Sequence, residues 1–325
     1  EFYTGSEWRA VNSRVDMSGG GARAIIAGGN TGSYSSYVGY VNIMSEGNEI
    51  DFGTLTSARS FPQSCSNGTR CLFAGGQDGQ PFSDVIDYNT IQSRGNFVDF
   101  GNLTSNNGWG AGGCSSSTRG LFSSWYPYNA KIDYVEISTL GNAGDFGDRF
   151  NGSNIAGAPA AVSNGSRAVW GGGYTPGSPL TSVAQSYMDF VTISSKGNAF
   201  KFGDLTKNRG SIAACSNSVR GFYAGGTDWT PGAGGVVDLI DYITISSTGN
   251  AVHFGELTVA RGFGSGTSTQ TRGIFGGMRY NPAINNVIDY ISLQSGGAAT
   301  DFGDLALSRK EVGMTSDSHG GLGGF

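Results

Sequence analysis

Five aspartates recur along the chain in step with five arginines: Asp87, Asp133, Asp189, Asp241 and Asp289 with Arg70, Arg119, Arg167, Arg220 and Arg272. Such pairs could serve as acid catalysts, anion clamps or structural ion pairs. Repetition favours the last, because a catalytic site needs one set and not five. An Arg–carboxylate pair bracing adjacent strands is the expected role. The chain has only two histidines, His253 and His319, in unrelated contexts. A copper or other histidine-built metal site needs several converging imidazoles, so no metal or cofactor is expected. Of the four cysteines, Cys65, Cys114 and Cys215 share one repeat position with Val162 and Thr267, which reads as a small buried site. Cys71 lies a short turn from Cys65, close enough for a disulfide but not requiring one. Asp78, Asp84, Asp228 and Asp238 lie in loops. Two carboxylates about 5–9.5 Å apart would suffice for glycoside hydrolysis.

A second set of residues suits binding. Tyr34, Tyr37, Trp125, Tyr126, Tyr128, Tyr174, Trp229 and Tyr280 sit in loops among Asn, Asp, Ser and Gly, with Asp228, Arg279 and Asn281 beside them. Rigid aromatics next to adaptable hydrogen-bonding groups make recognition surfaces. Sugar rings fit them well, stacking on the aromatic face while hydroxyls bond to Asn and Asp.

The elements that must hold these loops are short strands. Asp241–Gly277 shows the pattern: a β-branched and aromatic strand at 240–245, a turn with Gly249, and a strand carrying Phe254 at 251–257. A small-residue strand at 261–267 and a fourth at 272–275 follow, closed by Gly276 and Gly277. These four are expected to form one small twisted sheet, which cannot bury both faces alone and must stack on copies of itself. The Phe-Gly pair recurs at Phe52, Phe100, Phe146, Phe202, Phe254 and Phe302, making six copies. The first copy carries Gly39–Tyr40 where the others carry Asp and an aromatic. Turns such as 246–250 and 267–271 fall on one face and scarcely vary between copies. The loops after the double glycine fall on the opposite face and diverge, as loops on a rigid scaffold that carry function do. Sequons at Asn67 and Asn164 coincide with repeat turns, where Asn suits a left-handed position.

Composition agrees. The chain has 325 residues, 56 of them glycine, with 38% hydrophobic residues and a net charge of −5. The glycines recur at turns and not in triplets, so a packed all-β fold is expected. No basic run is available for nucleic acid. No apolar run approaches the ~20 residues of a membrane span, so no membrane insertion is expected. The chain starts at Glu1, which suggests processing or a partial chain.

A period near 50 residues with four strands indicates a β-propeller blade. Runs such as Leu72-Phe73-Ala74-Gly75-Gly76 and Phe222-Tyr223-Ala224-Gly225-Gly226, followed by a Tyr and a large aromatic, resemble the kelch repeat. Phe100, Phe202 and Phe254 stand where kelch repeats usually carry Trp, and the third copy departs with Ser124 and Trp125 in place of the glycines. The resemblance implies four-stranded antiparallel blades over residues 14–325. Six blades are expected, the C-terminal strand near 309–315 completing the first. The alternative is seven, with the C-terminal segment joined to an N-terminal hairpin.

That hairpin, within residues 1–13, reads EFYTGSEWRAV, with Phe2, Tyr3 and Trp8 around Thr4–Gly5–Ser6. It resembles the aromatic–Gly–Trp hairpins of bacteriophage tail and head fibres, and the SDSHGGL ending resembles phage structural proteins with kelch-like tips. The resemblance implies a virion adhesion protein, a fibre tip binding a host-surface glycan or receptor. It would be joined to other virion proteins through its N-terminal end, and a homotrimer on a fibre shaft is possible. The alternatives are a propeller glycosidase acting on host polysaccharide and a kelch-type protein-binding adaptor.

Overall fold

The computed structural model describes residues 22–79, 82–108, 112–123, 130–150, 157–175, 183–228, 235–279 and 283–322, and the backbone of 2–3 and 8–9. Phe2–Tyr3 and Trp8–Arg9 pair antiparallel, as expected of the hairpin. The other strands form six four-stranded antiparallel sheets arranged as the blades of a β-propeller, and one two-stranded ribbon, Thr227–Asp228 with Gly235–Val236.

The ring closes as the first expectation had it. Gly313–Ser316 is the innermost strand of the first blade, beside Arg23–Ala27, Tyr37–Asn42 and Ile50–Thr54. One expectation about the unit is corrected. Asp241–Gly277 is not one sheet. Leu239–Thr244 and Val252–Glu256 are the outer strands of the fifth blade, while Ser265–Ser268 and Arg272–Gly276 begin the sixth. The repeating unit seen in sequence straddles two blades, because the chain crosses from the outer edge of one to the inner edge of the next between 257 and 264.

Adjacent blades share their cores. Phe100, Leu103, Leu72 and Ile86 of the second blade pack with Phe122, Val135 and Ile137 of the third, all buried. Each such side chain contributes about 1.5–3 kcal/mol when removed from water. Each blade repeats an edge-to-face pair between the third and outermost strands, such as Tyr88–Phe100 and Tyr242–Phe254, with ring centroids 5.8–6.2 Å apart. The repeated Arg of the second strand lies over the same aromatic, 4.4–5.0 Å from its centroid.

The arginines that stack there are not the ones paired with the aspartates, and this corrects the expected pairing. Arg70 donates to the Ile137 carbonyl in the next blade at 2.8 Å, and Arg119 to Ile193 at 2.9 Å. The aspartates are held by a different arginine, in the linker that enters their blade. Arg59 meets Asp87 at 3.0 Å and Arg209 meets Asp241 at 2.9 Å, with every partner fully buried. Arg261 pairs with Asp289 in the same way. A linker Thr completes the latch: Thr206 donates through its N–H (3.1 Å) and hydroxyl (2.7 Å) to the two oxygens of Asp241.

The copies that break the pattern supply the same chemistry by other routes. Arg149 sits earlier in its linker and offers Nε to both oxygens of Asp189 at 3.0 Å. In the third blade Asn107 stands in the arginine's place and bonds the Ser123 carbonyl, so Asp133 relies on Thr104. Burial raises the Asp133 carboxyl above its ordinary range. In the first blade the carboxylate comes from Glu49, which meets Arg309 and the Ala306 amide. Gly39 is required there, because a Cβ would lie 2.3 Å from Glu49 Oε1.

Candidate functional site

The loops after the double glycines and the linkers between blades form one face of the propeller. The first glycine turns the chain into that face with a left-handed backbone. Gly225 has φ 62°, and a Cβ there would lie 2.3 Å from the Arg261 carbonyl. The second glycine's N–H donates to the same linker carbonyl, as Gly226 does to Arg261 at 3.0 Å. The next residue, which in the sixth blade follows Gly277-Met278, is pinned by a reciprocal backbone pair with the linker: Asn30 with Lys310, Gln77 with Ser60, Tyr174 with Gly157, Thr227 with Gly210 and Arg279 with Gly262. The variable loops thus leave from fixed points.

Inside these points lies a second variable ring. Phe61, Ala158, Ser211, Phe263 and Glu311 have φ between 52° and 65°, and among the described residues they are the only non-glycines with positive φ. All occupy the same place in their linkers. Their backbones are chained: Phe61 N–H donates to Glu311 (2.7 Å), Glu311 to Phe263 (2.7 Å), Phe263 to Ser211 (2.9 Å) and Ser211 to Ala158 (3.2 Å). A non-glycine in this conformation costs about 1–2 kcal/mol, yet a chain with 56 glycines does not use one here. The ring surrounds the mouth of the central channel, a cavity of about 80 Å³ lined by Phe61, Gln63, Ser64, Ser265 and Glu311 among others. Phe61 and Phe263 lie 6.4 Å apart, Arg279 covers Phe263 at 4.3 Å, and Lys310 pairs with Glu311 at 2.5 Å.

The expected site residues are distributed unevenly. Tyr34 is half-buried and pairs with Asn30. Tyr37 begins a strand with Arg309 4.7 Å over its ring; burial, then the nearby Glu49, raise its hydroxyl pKa. Tyr174 is corrected from surface to core. Its ring is 2% exposed, packed with Ala158 and Ala184, and its hydroxyl bonds Thr227 and Ser211. Burial lifts that hydroxyl to about 12. Asp228 is also buried, 3.9 Å from Lys207. Of the carboxylates considered for hydrolysis, Asp78 and Asp238 are exposed and Asp84 is half-buried. Arg279 reaches the mouth. Trp125, Tyr126, Tyr128, Trp229, Tyr280 and Asn281 lie outside the described residues. Sequence reasoning missed Phe61, Gln63, Phe263 and Glu311. The signal was present, since the second residue after Arg59, Arg209, Arg261 and Arg309 differs between copies, but it falls in linkers that were read as scaffold.

The other end of the channel is closed by polar bonds. Ser66, Ser115, Ser163, Ser216, Ser268 and Ser316 share one register on the inner strands. Each hydroxyl donates to the carbonyl of the serine in the preceding blade, at 2.5–2.8 Å, and the cycle closes on itself. The C-terminal segment sits against it. His319 Nε2 lies 2.9 Å from Ser66 Oγ, and its Nδ1 accepts from the Gly321 amide at 3.1 Å. That network requires a neutral ring protonated on Nε2. Burial, with no acceptor for a second proton, lowers the His319 pKa to about 4 from 6.5. Neighbouring Asp317 is raised by burial to about 6 from 3.8.

These shifts oppose each other. A raised carboxyl loses its stabilising contribution as pH rises from about 4 to about 6, and a depressed histidine loses its own as pH falls from about 6.5 to about 4. Relative to wild type, Asp317→Asn is expected to lose stability on acidification through that window and His319→Asn to lose it on alkalinisation. Urea unfolding across the window measures both slopes; parallel curves for the three proteins would refute the coupling.

The four cysteines are free and buried, so no bridge joins Cys65 to Cys71. Desolvation raises each of their thiols. The repeat turns hold Asn67 and Asn164 in a different role from the one expected. The left-handed residues are Gly68 and Gly165, and the Asn side chains accept from the amides two and three residues on. No group of three or more metal-binding side chains occurs among the described residues, and no helix is long and apolar enough to cross a membrane.

No protein-family model matches the chain, and no curated protein matches it significantly.

Proposed function

We propose that this propeller is a recognition module: the distal, kelch-like domain of a bacteriophage fibre, which adheres to host-surface or environmental glycans through the face of variable loops. The observation that carries this reading is the division of labour between copies. The repeated Asp, Arg, Tyr and Phe are used inside the scaffold as latches and stacks. The described starts of the loops that differ between copies lie on one face, pinned to the linkers. Rigid presentation of varied loops lowers the ordering cost of binding. On this reading the protein binds without transforming its ligand. It belongs to the virion surface, is attached through its N-terminal end, and is carried on a trimeric shaft.

A glycan array probed with the whole protein tests this. Binding to a restricted set of glycans, abolished by Trp229→Ala or Tyr126→Ala with the melting temperature unchanged, is the expected result. A folded protein that binds no glycan and no host cell overturns the proposal, and release of reducing sugar from host polysaccharide replaces it with hydrolysis.

A further inference from the structure

We infer that the outer rim of the fourth blade carries a sugar subsite: one ring of the glycan stacks on Phe150, and hydroxyls of the chain bond the Lys201–Asp204 pair. The inference rests on the glycan-binding reading above and gives it a location. Three departures from the repeat meet there, on three different elements. The first is Phe150, in the linker that enters the blade. Thr56, Thr104, Thr206 and Thr258 hold its position in other linkers, and each latches an aspartate through both its N–H and its hydroxyl. Phe150 keeps only the N–H bond, to Asp189 at 3.0 Å, and Arg149 supplies the rest of the latch. The scaffold thus gives up a hydroxyl bond and gains an aromatic ring that is 41% exposed.

The second departure is Tyr187, which begins the third strand of the blade. Val85, Lys131, Leu239 and Val287 begin that strand in four other blades, and Tyr37 in the first. Phe150 lies nearly parallel to the Tyr187 ring, with centroids 5.9 Å apart and planes inclined by 13°. The third departure is Lys201, on the outermost strand. Its position carries Asp51, Asp99, Asp145 and Asp301 in four blades and His253 in the fifth. The Lys201 ammonium lies 5.6 Å from the centre of the same Tyr187 ring and 3.3 Å from the Asp204 carboxylate. Both charged side chains remain open to solvent.

Together these groups suit a sugar. The C–H groups on one side of a pyranose form an apolar, slightly positive face, which the negative face of an aromatic ring attracts. Tyr187 backs Phe150, so the platform is fixed before binding and little ordering is lost. An ammonium beside a carboxylate offers a donor and an acceptor together, as neighbouring hydroxyls require, and hydrogen bonds to charged groups are the stronger kind. An aspartate at 201 would offer acceptors alone. The fold does not demand the exchange, because the other blades form the same four strands without it. Phe150 also lies in a linker, on the face that the variable loops share.

Two variants test the subsite while sparing the fold, since each restores what other copies carry. Phe150→Thr returns the linker to the form of residues 56, 104, 206 and 258. Lys201→Asp recreates the Asp145 and Asp148 pattern of the third blade, which the sixth repeats as Asp301 and Asp304. Both are applied to the same glycan array, and affinity for the strongest wild-type glycan is then measured by surface plasmon resonance. The expected result is at least a ~10-fold loss of affinity for each variant at unchanged melting temperature. Phe150→Tyr, which keeps an aromatic ring, should bind as wild type does; a loss as large as that of Phe150→Thr would overturn the stacking. If wild type binds glycans and both Phe150→Thr and Lys201→Asp bind as well as it does, the subsite is wrong and the recognition function stands. If wild type binds none, both fall.

Discussion

Removing residues 313–325 is expected to abolish cooperative folding, although the segment is a small part of the chain. Gly313–Ser316 is the innermost strand of the first blade, paired with Ala24–Ala27. Without it, that strand becomes an open edge facing the channel, and the serine cycle loses the Ser316 carbonyl and hydroxyl. Met314, 3% exposed within the core between the sixth and first blades, is lost as well. So are the His319 bonds to Ser66. Burial of one such side chain contributes about 1.5–3 kcal/mol and each hydrogen bond about 0.5–1.5 kcal/mol. Together these approach the ~5–15 kcal/mol that hold a typical domain. The truncated protein should show a broad thermal transition and weakened near-UV circular dichroism, and a synthetic peptide of residues 312–322 should restore both. A sharp transition near the wild-type temperature would mean that the ring is held by its blade interfaces alone.

Arg209→Leu is the single substitution expected to cost most. It strands Asp241, which is fully buried and receives Arg209 at 2.9 Å. The same guanidinium donates to the Tyr223, Gly225 and Leu239 carbonyls, tying the linker to two strands of the fifth blade. Breaking one side of such a pair costs about 3–5 kcal/mol, or about 4–7 °C in Tm for a chain of this length. Replacing both partners, Arg209→Leu with Asp241→Leu, should recover much of that loss, since no charge is then left uncompensated in the interior. A double-mutant cycle from urea melts measures the coupling. Glycan preference should be unchanged in every member of the cycle; a changed preference in a protein of normal Tm would mean that the latch belongs to the binding site.

The latch also shows how far sequence reasoning reaches. That Asp241 and its counterparts pair with arginine followed from their repetition. Which arginine did not. Arg220 and Arg209 both recur in phase with Asp241, and periodicity cannot separate two residues that share a period. The choice depends on which one the linker carries into the interior. The same limit applies to the unit itself. Asp241–Gly277 repeats faithfully wherever its boundaries are drawn, and only strand pairing shows that it joins two blades. In the loops, composition could not tell Tyr174, which packs beneath its loop, from an exposed aromatic.

The sequence by itself determined the strand content and the six copies, and strand pairing in the structure chose between six blades and seven. Strand content and copy number follow from local turn chemistry and from the period, which a repeating chain states many times over. The tertiary structure alone decided which charges meet, which aromatics are buried, and that six serines and one histidine close the far end of the channel. It also decided that the mouth is ringed by strained, unequal side chains. Those outcomes depend on contacts between residues as far apart as Ser66 and Ser316, fixed by the geometry of a closed ring and not by any feature of the residues taken one blade at a time.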